Sequence, residues 1–395
     1  MQSTINNPTF CDSYTQLPKG WRWVRLGEVC KFEYGSALPE RDRLGGEVPV
    51  FGSNGVVGYH NIAITQGPTI IIGRKGSIGQ INFSKTPCWP IDTTYFIDSS
   101  KTQCDLIWLY WLLKWLKLDS LNKATGVPGL NREDAHDQLV PLPPTVEEQR
   151  CIAAKIQELM QEVERARAAC EKQLEAAKAL PPAYLRQVFE SEEAEKWERK
   201  RLGEVCEINP KRPKNFTRSP EVPTTFVPMA AIDERTGIIA KPEIVPYSRV
   251  SKGYTYFEEG DVLFAKITPC MQNGKHVIAK NLIGGMGFGT TEFHVLRPHD
   301  NVLPEWIHFF IRQPHFLKEA TLYFTGAVGQ QRVPEEFLSN YIIPIPSLPI
   351  QERIVAELKE KMAQVDKLRA SIEKQLEAIN ALPQAILRKA FRVEL

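Results

Sequence analysis

The feature that most limits what this chain can fold into is a long-range internal repeat. Arg25-Leu-Gly-Glu-Val-Cys30 recurs letter for letter as Arg201-Leu-Gly-Glu-Val-Cys206, each soon after a tryptophan, Trp23 and Trp197. Thr125-Gly-Val-Pro-Gly-Leu-Asn-Arg132 aligns with Thr325-Gly-Ala-Val-Gly-Gln-Gln-Arg332, and both run into proline-rich segments, Pro141-Leu-Pro-Pro144 and Pro344-Ile-Pro346. Glu171-Lys-Gln-Leu-Glu-Ala176 returns as Glu373-Lys-Gln-Leu-Glu-Ala378, and Ala179-Leu-Pro181 as Ala381-Leu-Pro383. A period of roughly 200 residues is too long for a solenoid and marks a duplicated domain, in the order globular, helix, globular, helix. A length of 395 residues suits such a plan, at roughly 100–200 residues per domain.

The helical segments are the most readable. Each begins after proline, ends its main run near Leu-Pro and is rich in good helix formers. In the second, Val355, Leu358, Met362, Val365, Arg369, Ile372, Leu376 and Ile379 are spaced alternately by three and four. A shift of 202 positions gives Ala153, Ile156, Met160, Val163, Arg167, Cys170, Leu174 and Ala177, so the seam repeats with its one charged position. Such an alternation over about four heptads predicts a coiled coil. About 30 residues at 1.5 Å rise give a rod of roughly 45 Å. The seam alone does not choose between parallel and antiparallel pairing. An antiparallel pair puts the globular domains at opposite ends of the rod, about a pseudo-twofold axis. Pro181 and Pro383 are expected to kink or break each helix before a short tail.

Between the helices, Thr69-Ile-Ile-Ile72, Thr93–Ile97, Asp261–Ala265 and Thr291–Leu296 read as strands, and Trp108–Leu118 and Trp306–Arg312 as short helices. The expected fold class is α+β. An N-terminal tail (1–18) precedes mixed α/β domains at 19–143 and 193–345, with helical spacers at 144–192 and 346–395.

Hydrophobic residues make up 43% and charged residues 24%, which excludes global disorder. With a mean hydropathy of −0.28, no apolar run approaches the roughly 20 residues of a membrane span. Met1–Cys11 shows no leader pattern. The eight cysteines include no C-x-x-C pair, and His294 and His299 lack cysteine neighbours. Reduced thiols, no metal and a cytoplasmic location are therefore expected. A net charge of +2 excludes a wholly basic protein but permits a local nucleic-acid surface.

Searches for catalysis come back empty. Asn273-Gly274-Lys275 lacks the upstream glycine of a P-loop, and Phe51–Gly58 fits no dinucleotide-binding spacing. No G-x-S-x-G, metal-nuclease carboxylate cluster or amino-methyltransferase motif is present. Contact chemistry is better represented. Arg74-Lys75-Gly76-Ser77 follows one strand, and Lys266-Ile-Thr268 with Asn273 and Lys275 follows another. Arg132 with Asn131, and Arg332 with Gln330 and Gln331, place amides beside a guanidinium. Cations and hydroxyls suit phosphates, while Arg and Asn or Gln can pair with guanine and adenine edges. Asn54, Tyr59, Lys123, Lys211, Arg212, Lys252 and Tyr254 complete the candidate contact set. Each of these, taken singly, also fits a solvated surface group. Charge totals do not discriminate: Lys19–Leu139 carries 14 basic against 12 acidic residues, and Glu198–Glu336 carries 18 against 16.

This layout resembles the specificity subunit of type I restriction-modification systems. The resemblance rests on Leu26-Gly27-Glu28 and Leu202-Gly203-Glu204, Gln149-Arg150 and Gln351-Glu352-Arg353, and Leu180-Pro181…Phe189 and Leu382-Pro383…Phe391. Gly73–Ser77 and Gly260–Cys270 also look like segments of the family's target-recognition domains. It implies two domains, each binding half of an asymmetric bipartite site on double-stranded DNA, spaced by an antiparallel coiled coil. The roughly 45 Å rod agrees with domains about one DNA turn, roughly 34–36 Å, apart. It further implies a chain without catalytic residues or a bound cofactor. Two modification subunits would dock on the helices, carrying S-adenosylmethionine for adenine-N6 methylation. Restriction subunits would add cleavage dependent on ATP and Mg. Gln149, Arg150, Leu174, Leu180, Leu185, Phe189, Arg353, Leu376, Leu382, Leu387 and Phe391 are the expected partner contacts. The alternatives are a coiled-coil protein scaffold that does not touch DNA, and a stand-alone nuclease or methyltransferase.

Overall fold

The computed structural model describes residues 17–121, 129–327 and 329–391. The chain divides into two compact units, one of residues 1–172 with 373–395 and the other of residues 173–372. Two long helices, Val146–Phe189 and Leu348–Phe391, are each divided between them. The first unit is thus completed by helix from a distant part of the chain, whereas the second is one continuous stretch.

Each long helix has 44 residues, about 66 Å at 1.5 Å per residue, longer than the expected rod. Both stay helical through their prolines, Pro181 and Pro182 in one and Pro383 in the other. An internal proline costs about 3 kcal/mol. The turns beyond it offset this by burying Leu185 and Phe189, or Leu387, Ala390 and Phe391. The expected seam is the observed one: Ile156, Val163, Cys170 and Ala177 are buried, as are Val355, Leu358, Val365 and Ile372.

Within the first unit, Ala153 and Ile156 share a core with Leu387, Ala390 and Phe391, while Arg167 Nε donates to Asn380 Oδ1 at 3.0 Å. In the second unit, Leu185 and Phe189 pack with Ile354, Val355 and Leu358, and Lys361 lies 5.2 Å from the Tyr184 ring centroid. Numbers rise along one helix as they fall along the other, so the helices pair antiparallel.

The two domains share a frame. In the first, a four-stranded sheet runs Glu33–Tyr34, Thr94–Ile97, Thr69–Gly73, Ile81–Ser84. In the second, the matching order is Cys206–Ile208, Phe293–Pro298, Val262–Ala265, His276–Ile278. A second sheet differs: three strands (Gly55–His60, Val48–Gly52, Trp89–Pro90) in one domain, four (Glu243–Pro246, Pro223–Val227, Met286–Gly289, Thr255–Glu258) in the other. Asp261, expected in a strand, instead turns its buried carboxylate onto Arg297, with contacts of 2.8 and 2.7 Å.

The letter-for-letter repeat is the hinge of this frame. Arg22–Arg25 pairs antiparallel with Leu139–Leu142, and Glu198–Arg201 with Ile342–Ile345. A single helical turn follows each, held by Glu28 accepting from Arg25 N and Glu204 accepting from Arg201 N, both at 2.9 Å. The glycines permit close approach: a Cβ on Gly27 would lie 3.1 Å from His136 Cβ, and one on Gly203 3.1 Å from Ser339 O. Trp108 and Trp306, fully buried, fill the two cores. Among the described residues, no helix is long and apolar enough to cross a membrane.

Candidate nucleic-acid interface

Strand register identifies one spot in both domains. In the first, Ile72 pairs with Tyr95, and the chain leaves the strand at Arg74, whose N–H donates to Thr93 O and whose carbonyl accepts from Leu130 N. In the second, Phe264 pairs with His294, and Lys266 N–H donates to Glu292 O while its carbonyl accepts from Val333 N. Arg74 and Lys266 are thus equivalent, a match hidden at the level of sequence. The next ring along repeats the pattern: Tyr95 Oη donates to Leu130 O at 3.0 Å, and His294 Nε2 to Val333 O at 2.9 Å.

This register also corrects the alignment of Arg132 with Arg332. Leu130 matches Val333, and the residues after them, Asn131 and Pro334, are the N-caps of helices Arg132–His136 and Glu335–Asn340. The structural partner of Arg132 is Glu335. Arg332 is spent within the chain, its guanidinium closed on Glu292 by two 2.8 Å bonds.

In the first domain the spot is cationic and aromatic. The Arg74 and Arg132 guanidinium carbons each lie 5.3 Å from the centroid of the exposed Tyr34 ring, which packs 5.0 Å from Tyr95. Arg74 is fixed by the Asp92 carbonyl. Burial first, and Tyr34 second, push Tyr95 up to about 12, with both arginines pulling the other way. It remains a neutral donor.

In the second domain the spot is a polar chain. With Nε2 of His294 donating, Nδ1 accepts from Asn209 Nδ2 at 3.0 Å. The other Nδ2 hydrogen reaches Glu335 Oε2 at 2.7 Å, and Asn209 Oδ1 accepts from Val295 N at 3.0 Å. Burial holds His294 below the ordinary histidine value and Lys266 below the ordinary lysine value. Arg332 holds Glu292 below the usual carboxylate range. Beside this spot opens a cleft of about 410 Å³, bordered by Lys211, Arg212, Tyr254 and Lys266.

The remaining expected contacts divide into exposed and committed groups. Asn54, Tyr59, Lys75, Ser77, Lys211, Lys252, Tyr254, Asn273 and Gln330 are exposed. Asn131 is taken by its helix, accepting from Glu133 N at 2.8 Å. Lys275 points to the carbonyls of Met229 and Ile232, each at 3.4 Å. Thr268 donates to Gln272 Oε1 at 2.6 Å, and its N–H donates to Gln331 O. Arg212 reaches Tyr247 Oη at 2.6 Å. Lys123 lies outside the described residues.

The expected partner contacts need larger correction. Leu185, Phe189, Leu387 and Phe391 are buried in the chain's own cores, and Leu174 and Leu376 lie half-buried in the seam. Gln149 is also internal, accepting from Asp105 N at 2.8 Å at the start of helix Leu106–Leu116. Gln351 does the same for Leu303 N at 3.0 Å, ahead of helix Pro304–Ile311. Arg150, Arg353 and Leu382 stay exposed, and Leu180 is half-buried.

Tyr34, Tyr95, Asn209, His294 and Glu335 escaped the sequence reading, because only strand pairing brings them beside Arg74 and Lys266. Among the described residues, no three His, Cys, Asp or Glu side chains gather closely enough to hold a metal ion.

Comparison with known proteins agrees with this frame. The type I restriction modification DNA specificity domain matches at residues 18–175 and 194–380. The type I restriction enzyme EcoEI specificity subunit of Escherichia coli is 41% identical over 194 residues, covering 49% of this chain and 32% of that one. The match thus spans about a third of that relative's length. A solved chain from work on complex assembly and conformational transition of the type I R-M system is 25% identical, with a TM-score of 0.73 over 96% of this chain and 100% of the other. The crystal structure of the HsdS subunit from Thermoanaerobacter tengcongensis shares the fold, with 24% identity and a TM-score of 0.63 over 96% and 98% of the two chains. With two matched domains spanning most of its length and the same fold in solved relatives, the chain belongs to the type I restriction modification DNA specificity family.

Proposed function

We propose that this chain is the sequence-reading subunit of a type I restriction-modification complex, non-catalytic itself, with each domain reading one half of a bipartite double-stranded DNA site. The observation that carries this is the shared spot. One backbone frame presents Arg74, Arg132 and Tyr34 in one domain, and Lys266, Asn209 and Glu335 in the other. A fixed frame with exchanged polar side chains suits two different base sequences read by one binding geometry.

Two modification subunits would dock on the exposed faces of the long helices, bringing S-adenosylmethionine for adenine-N6 methylation. Restriction subunits would bring ATP and Mg. A cytoplasmic location fits these partners. The experiment is a gel shift and base-resolution methylation map of the chain assembled with its modification subunits. A bipartite sequence preference, with affinity falling steeply as salt rises, is the expected result. Binding without sequence preference would end this reading.

A further inference from the structure

The equivalent positions 132 and 335 carry opposite hydrogen-bonding character. Each is the first residue of a helix, Arg132–His136 or Glu335–Asn340, close after the backbone bond from Leu130 or Val333 to the strand end, with Asn131 capping the first helix and the Pro334 ring restricting the chain before the second. A side chain on such a rigid start is well placed for recognition. Arg132 is a pure donor. It lies over Tyr34, with its side chain 38% exposed, and meets Glu133 through Nε alone at 3.3 Å. A helix's first turn favours carboxylates over cations, so helix stability does not explain an arginine there. Glu335 is an acceptor: Asn209 occupies Oε2 at 2.7 Å, and the residue is exposed. Arg332, the residue that sequence alone aligns with Arg132, is closed on Glu292.

Arg74 and Lys266 lie beside them at the strand ends, where their backbone N–H and C=O are both bonded. Arg74 is also held through its side chain by Asp92 O. They line the spot and set its charge.

We infer that Arg132 and Glu335 are matched specificity-determining residues of opposite sense, Arg132 donating to the acceptor edge of a guanine and Glu335 accepting from an exocyclic base amine. Guanine offers O6 and N7 in the major groove, where an arginine fork pairs with both. Cytosine N4 and adenine N6 are the amines a carboxylate can accept from. This rests on the DNA-reading function proposed above.

The test uses the full chain assembled with its modification subunits, with methylated positions mapped at base resolution for wild type, Arg132→Ala and Glu335→Ala. Both substitutions are on the surface, and size-exclusion chromatography confirms assembly. Arg132→Ala should relax a single guanine position in one half-site, and Glu335→Ala a single position in the other. Each should lose roughly tenfold or more of its base preference. The base relaxed by Glu335→Ala, cytosine or adenine, identifies which amine is read. If both variants methylate the wild-type sequence with wild-type preference, or if both relax the same half-site, the pairing is overturned. A wild-type complex with no bipartite preference would instead overturn the function beneath it, a different and separately visible failure.

Discussion

The two domains keep one set of backbone bonds and exchange nearly everything that the bonds present. Arg74 and Lys266, Tyr95 and His294, Arg132 and Glu335 occupy matched places, and the carbonyls of Leu130 and Val333 accept alike from a tyrosine and a histidine. Meanwhile Arg-Leu-Gly-Glu-Val-Cys is repeated without change, and in both domains its glycine packs against the short helix that starts at Arg132 or Glu335. Identity between the repeats therefore marks scaffold, and difference marks the parts suited to recognition.

The sharpest way to break the comparison is to empty each core separately. Phe189→Ala should cost about 3–5 kcal/mol in the second domain, and Phe391→Ala a similar amount in the first. Hydrogen exchange should then loosen Val262–Ala265 in the former and Thr69–Gly73 in the latter. Equal loosening of both strands by either variant would show that the domains do not hold separate cores.

A smaller effect should separate the two buried glutamines. Gln351 makes three bonds, from Leu303 N at 3.0 Å and to Asn301 O at 3.2 Å and Pro346 O at 2.9 Å. Gln149 has the Asp105 N bond at 2.8 Å and a 3.6 Å contact with Cys104 Sγ. Alanine should cost about 2–3 kcal/mol at 351 and about 1–2 kcal/mol at 149, measured by denaturant unfolding. Equal costs would mean that the extra bonds contribute nothing.

The Tyr95 and His294 pair predicts a difference in pH response. Burial, with Lys266, lowers His294, while the Val333 carbonyl, Glu335 and Glu292 pull upward. The unfolded chain therefore binds the extra proton more readily. The histidine's contribution is fully present above about pH 6.5 and is lost as pH falls from there towards its lower folded value. His294→Tyr should remove that share of acid lability from the second domain. An unchanged acid-unfolding profile would refute this. Smallest of all, Lys75→Ala and Lys211→Ala should each lower the slope of log affinity against log salt by about 0.9 if each meets a phosphate, with base preference kept.

The scaffold was legible because its signals are local and periodic. The 3-4 seam located the two long helices though not their relative direction, and Thr69–Ile72 and Asp261–Ala265 announced themselves as apolar runs after turns. The spot was not legible in the same way. Arg132 and Arg332 share a Thr-Gly…Arg context, yet the pairing to strand ends shifts the match by three residues and hands the place to Glu335. Leu185, Phe189, Leu387 and Phe391 looked available on an amphipathic helix, and only the folded packing shows the chain using them itself. The prolines do not break the helices for a related reason: a local cost near 3 kcal/mol is outweighed by the burial of Phe189 and Phe391 beyond them.

The division of each long helix between two units bears on how the protein is made. The first unit takes Leu387, Ala390 and Phe391 into its core, so during synthesis its sheet must wait, incompletely covered, until those residues, roughly 300 positions further on, have been translated. The second unit draws on residues 173–372 alone and has all its parts sooner. Between the two units, order of synthesis and order of maturation run in opposite directions, and the first unit's strands stay longer at risk of improper association.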